Sequence, residues 1–158
     1  MVAMVRKTII SRPNALNRLI ASRVDLPEPM ILSNAKRLDD GTYRLQSSDG
    51  VEVSMIYAEI PLTPSALYLI EFTAKAAQEN TGPLLVNFIS GSYIQGDQIL
   101  GLPEQPIWQG LVIDSGSPAP HNAHARIYTQ SKSALEISNV SISLLTNPSR
   151  ANEAAVVP

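Results

Sequence analysis

Two histidines, His121 and His124, stand three residues apart in "HNAH" and are the only ones in the chain. Imidazoles at that spacing share a metal when the backbone turns helically between them. Here they follow "SPAP" and adjoin a strand-like run, with no third donor close in sequence, so a loop without a metal is expected. The string "DSGS", Asp114 to Ser117, resembles a turn that exposes a serine nucleophile, and His121 is near it. Acyl transfer also needs a base oriented by a buried acid and an oxyanion hole. Neither is indicated, and a turn between strands accounts for these residues. The adjacent carboxylates Asp39 and Asp40 lie in a turn that reaches Gly41, where they shape a corner and face solvent instead of one substrate. "NVS" from Asn139 fits the N-glycosylation acceptor pattern but falls inside an expected strand of a chain without a recognisable export signal, so no modification is expected there. Phosphate loops and nucleotide fingerprints are missing, and the absence of cysteine excludes thiol catalysis, iron–sulfur clusters and disulfides. The residues assign no catalytic group, metal or cofactor, and the chain reads as a non-enzyme.

The elements that position these side chains are strands. With 158 residues, 44% hydrophobic and 16% charged, the chain makes one globular domain without a membrane span. From Ile31 onward, short runs rich in β-branched and aromatic residues alternate with Gly, Pro, Asn, Asp and Ser clusters. The clearest are Tyr43 to Gln46, Val51 to Ile60, Leu67 to Ala76, Leu84 to Ile89, Gly110 to Asp114, Ala125 to Thr129 and Leu135 to Leu145. In "YLIEFTAK", Tyr68, Ile70, Phe72 and Ala74 share one face, while Glu71, Thr73 and Lys75 share a wet one. Val51, Val53, Met55 and Tyr57 alternate in the same way, as do Leu111 with Ile113, and Ala125 with Ile127 and Thr129. Turns at "DDGT", "SSDG", "ENTGP" and "NPSR" separate them. The expectation is an all-β antiparallel two-sheet sandwich.

Ahead of it lies a basic arm. Through Arg44 the chain holds eight basic and four acidic residues, and its first 23 residues hold five bases (Arg6, Lys7, Arg12, Arg18, Arg23) and no acid. Asn14 is a suitable cap for a short helix to about Arg23, in which Leu16, Leu19 and Ile20 form a narrow apolar stripe. So short a helix is unstable alone and must dock. "VDLPEPM" then enforces an extended connector. The expected organisation is residues 1–30 arm, 31–147 sandwich and 148–158 tail. The apolar stretch Thr8 to Ile10 is too short for a signal peptide, so a cytoplasmic or virion location is expected.

The segment "IPLTPSALYLIEFTAKA", with "IWQGLVID" and "ARIYTQSKSALEISNVSISLL" in that order, resembles carbohydrate-binding modules of the galactose-binding-like jelly-roll type over about two thirds of the chain. The resemblance implies a jelly roll and a glycan ligand. Modules of this family commonly place an acidic residue, associated with a structural calcium, just before the Asn-Val pair of the last strand; here that position is Ser138. Sugar rings stack on aromatic platforms. With Tyr57, Tyr68 and Phe72 in phase with apolar neighbours, Trp108, Tyr93, Tyr43 and Tyr128 are the candidate platforms, and Arg126 and Gln130 share the face of Tyr128.

Two functions follow. The first is a non-catalytic structural subunit that docks through its arm into a larger assembly, on a protein partner or on copies of itself as a homo-oligomer, such as a virion surface, tail or other multi-subunit shell. Arg6, Lys7, Arg12, Arg18 and Arg23 would meet acidic surface, with Leu16, Leu19 and Ile20 as the apolar anchor. The alternative is a carbohydrate-binding module using Trp108, Tyr93, Tyr128 and Arg126. Nucleic acid is not expected, because five charges without interleaved aromatics make a weak electrostatic footprint.

Overall fold

In a computed structural model, the structure describes residues 6–8, 19–78, 82–90, 93–115 and 123–145; side chains of 6–8, 90 and 93–95 lie outside the description. The strands in chain order are β1 (Arg6–Thr8), β2 (Ile20–Val24), β3 (Ile31–Ser33), β4 (Ala35–Arg37), β5 (Tyr43–Leu45) and β6 (Ser54–Ile60), then β7 (Leu67–Ala76), β8 (Leu84–Ser90), β9 (Tyr93–Ile99), β10 (Ile107–Asp114), β11 (Ala123–Thr129) and β12 (Leu135–Leu145). They form two antiparallel sheets. One runs β1-β10-β7-β12-β5-β4 with β2 added beside β12; the other runs β3-β6-β11-β8-β9. The chain is an all-β jelly-roll sandwich.

The inner faces interdigitate in one core. Tyr68, Ile70, Phe72 and Ala74 of β7, Leu111 and Ile113 of β10, and Ile127 of β11 point into it, as the alternation required. Strand β6 takes the opposite phase from the expected one. Ser54, Ile56, Ala58 and Ile60 are buried, while Met55 and Tyr57 are only partly so and belong to neither buried cluster. The run Val51 to Ile60 is not one strand, because a turn occupies its beginning. Asp49 Oδ1 accepts the backbone N–H groups of Val51 and Glu52, each at 2.8 Å, and Gly50 takes the left-handed conformation (φ 81°). Those bonds stabilise the charged carboxylate and hold Asp49 below its ordinary pKa.

Tyr43 is likewise no surface platform. It is buried in the core, and its hydroxyl accepts the N–H of Met30 at 2.9 Å.

The outer face of the seven-stranded sheet is partly closed. Leu67, Leu69, Val112 and Leu145 form a second buried cluster there, covered by Leu19, with Ile20 and Trp108 at its edge. Leu67 to Phe72 of β7 are therefore buried on both faces, including Glu71, whose face was expected to be wet. The segment supplying Leu19 is not a helix at its end: Ile20–Val24 is a strand, registered as Ile142↔Val24, Ser143↔Arg23, Leu144↔Ser22 and Leu145↔Ile20. The physical reason is an open edge. Strand β5 pairs β12 only over Leu135–Ile137; a bulge follows between Ser138 and Ser141, with Asn139 at φ 55°, and the ladder groups beyond it need partners. The beginning of the expected helix, residues 14–18, lies outside the described residues.

Candidate functional site

The outer face of the five-stranded sheet is assembled from alternate residues of five strands, and the register sets them in rows. The middle row runs Ile31–Tyr57–Arg126–Asn87–Gly96. Beside it lies Ser33–Met55–Tyr128–Leu85–Gln98, and on the other side Glu59–His124–Ile89. Directly opposed residues on neighbouring strands hold their side chains within contact distance, so this face brings two tyrosines, an arginine, an asparagine, a histidine and a glutamate together. Ile31, at one end of the middle row, is 45% exposed, and Glu59 and His124 are exposed as well.

Asn87 organises the centre. It is 6% exposed, its Oδ1 accepts Arg126 Nε at 2.9 Å, and its Nδ2 donates to the Tyr128 hydroxyl at 3.1 Å. The Arg126 guanidinium carbon lies 4.9 Å from the centroid of the Tyr128 ring, a cation–π contact that covers one ring face. Space for Asn87 comes from Gly96 across the strand pair, where a Cβ would stand 2.3 Å from Asn87 Cβ and 2.2 Å from the Val86 carbonyl oxygen. In the adjoining row, His124 Nε2 is 3.7 Å from Glu59 Oε2, and its ring is tilted against Tyr57 with centroids 5.5 Å apart. The tyrosines therefore differ in use: Tyr128 supports Arg126, while Tyr57 presents a ring at the centre of the open face.

The sequence-derived candidates divide. Arg126 and Tyr128 meet here. Gln130, exposed beyond the end of β11, donates to the carbonyl of Val51 at 2.6 Å. The Tyr93 side chain lies outside the described residues. Trp108 is on the outer face of the other sheet, so it cannot stack on a ring bound beside Tyr128; its Nε1 donates to Glu71 Oε1 at 3.3 Å and its indole lies across Gly110, where a Cβ would be 2.3 Å from the ring. Tyr57, Asn87 and Glu59 were missed. A signal for Tyr57 was available: were it inward, Glu59 two residues on would be inward too, and burying an unpaired carboxylate is costly. Asn87 carried none, since only the register shows that it faces Arg126.

Of the arm, β1 places the backbone of Arg6 and Lys7 against Leu111 and Gly110. Leu19 and Ile20 pack on the chain's own sheet, and Arg23 Nη1 donates to Ser143 Oγ at 3.4 Å. Arg12, Leu16 and Arg18 lie outside the described residues, as do His121 and Ser117. Ser115 is a buried staple: its hydroxyl donates to the carbonyl of Thr63 at 2.6 Å and accepts Ala66 N–H at 3.0 Å. Asp40 Oδ1 accepts Thr42 N–H at 2.9 Å, which keeps its carboxyl below the usual range. Among the described residues, no three metal-ligating side chains cluster. A groove of about 490 Å³ lies between the β2–β3 connection and the β12 bulge, but its one aromatic side chain, Tyr43, is buried, so it offers no stacking surface.

Among the solved structures that share this architecture are three carbohydrate-binding modules. The second family 16 carbohydrate-binding module matches 84% of this chain and 97% of its own at a TM-score of 0.52 and 10% identity. The C-terminal family 6 module of the laminarinase LamC from Zobellia galactanivorans matches 75% and 95% (TM-score 0.52, 14% identity). The second N-terminal cellulose-binding domain of β-1,4-glucanase C from Cellulomonas fimi matches 82% and 95% (TM-score 0.55, 16% identity). The fold is that of a carbohydrate-binding module. At these identities the likeness establishes architecture and not ligand. No protein-family model matches the chain, and a search of curated proteins finds no match.

Proposed function

We propose that this chain is a non-catalytic module that binds a polysaccharide on the outer face of its five-stranded sheet. The observation that carries this reading is the middle row, where Tyr57 offers a ring beside side chains already oriented by one another, Arg126 and Asn87. A sugar presents an apolar C–H face and a rim of hydroxyls, and an aromatic ring next to fixed donors and acceptors complements both. The likeness to carbohydrate-binding modules supports the same reading. Docking of the arm into a larger assembly has less support, since its described residues are used in the chain's own sheet.

Retention in affinity gels containing a panel of plant, algal and bacterial polysaccharides tests it. At least one polysaccharide should retard the protein, and Tyr57→Ala should weaken that interaction by about tenfold, the value of one aromatic stacking contact. Absence of retention across the panel, or retention indifferent to Tyr57→Ala, overturns the proposal.

A further inference from the structure

The outer face of the five-stranded sheet holds a cation, Arg126, whose charge no described carboxylate answers. Arg126 is one of only four basic residues after Arg44, in a stretch with ten acids, yet no described carboxylate lies within ion-pair distance of it. Glu59, the acid of the two neighbouring rows, faces His124 instead. The guanidinium is also immobilised. Its Nε is bound to Asn87, Asn87 is bound to Tyr128, and the group lies over the Tyr128 ring. Those contacts use one of five N–H donors, and among the described residues the Nη1 and Nη2 fork has no acceptor.

A structural arginine neutralises a buried acid or reaches out to water. Arg126 has no described acid to neutralise, and its half-buried position, its bond to Asn87 and its ring contact fix the plane in which the fork opens. Two parallel N–H groups match the two oxygens of a carboxylate or sulfate, and a charge-assisted pair is roughly twice as strong as a neutral hydrogen bond. A neutral hydroxyl would meet one N–H at a time and leave the charge unanswered. Pre-orientation by Asn87 and Tyr128 also removes the ordering cost that a free arginine would bear on binding.

We propose that the recognised ligand is an acidic polysaccharide, whose uronate carboxylate or sulfate ester is held by the Arg126 fork while the adjoining sugar ring lies on Tyr57. This rests on the glycan-binding reading and narrows it. Register places Tyr57 directly opposite Arg126, so platform and anion site are neighbours, a spacing suited to adjacent parts of one chain and not to a free ion.

Calorimetric titration of the whole protein with trigalacturonate, a sulfated galactan oligosaccharide, cellotriose and laminaritriose tests the assignment. An acidic oligosaccharide should bind at least tenfold more tightly than either neutral one, and whichever acidic ligand prevails identifies the anion's source. Arg126→Gln should abolish that preference, and Arg126→Lys, which keeps the charge without the fork, should restore only part of it; thermal melts of both variants establish that they are folded. Equal or better binding of a neutral oligosaccharide, or full affinity in Arg126→Lys, overturns the acidic-ligand assignment while leaving glycan binding intact. No binding by any of the four, together with no retention in the wider gel panel, overturns both.

Discussion

Gly96 is small because Asn87 is not. With the Asn87 side chain lying over its Cα, an added methyl group has backbone on one side and Asn87 on the other, neither of which moves freely. Gly96→Ala should cost about 1–3 kcal/mol in a denaturant titration and should also weaken ligand binding, because the shift passes through Asn87 to Arg126. Tyr128→Phe is subtler: it removes the acceptor of a well-buried amide and should cost about 1 kcal/mol without emptying any volume. The turn carboxylate Asp49 makes a prediction about pH. Its pKa is lowered by bonds from Glu52 and Val51, so its contribution is present above the unfolded-state value and disappears as pH falls through the lower folded one. Asp49→Ala should therefore be less stable than the parent near neutrality and converge on it below about pH 4. At this scale the sequence was legible only in part. Arg126 and Tyr128 share a face by simple parity, whereas Tyr57 was misassigned because Val51, Val53 and Met55 continue its alternation backwards into what is a turn.

Strand β2 shows why elements are harder to read than residues. The spacing of Leu16, Leu19 and Ile20 suits a helix, but a short helix has little stability of its own, and the ladder groups of β12 beyond its bulge offered "IASRV" hydrogen bonds that a helix would have left unmade. No reading of those residues alone could reveal a bulge more than a hundred positions away. The outcome changes the expected behaviour of the arm. Were it a tether, removing residues 1–24 would leave stability alone; with β2 paired and Leu19 sealing Leu67, Leu69, Val112 and Leu145, that truncation should lower the melting temperature. Leu19→Ala by itself should cost about 2–5 kcal/mol, measured by chemical unfolding. The inner faces of the central strands β7, β10 and β11, by contrast, were readable because alternation sets their apolar residues on one side.

At the scale of the whole molecule, both inner faces feed one core, so heat should unfold the chain in a single transition, with the same midpoint from circular dichroism and fluorescence. The sandwich architecture was evident from the rhythm of short strands and turns. What rhythm cannot convey is that the two outer faces have different fates, one partly covered by Leu19 and β2 near the chain's beginning and one with exposed residues such as Ile31, Glu59 and His124, because that depends on which distant segments come to rest where.

The chain's single tryptophan lies on the covered face, with its indole N–H engaged by Glu71 and its ring laid over Gly110. Its emission should accordingly be blind to saccharide titrated onto the opposite side, yet shift to longer wavelength whenever the first strands peel away. One intrinsic fluorophore thus works as a built-in gauge of how firmly the front of the chain is fastened, readable without any label.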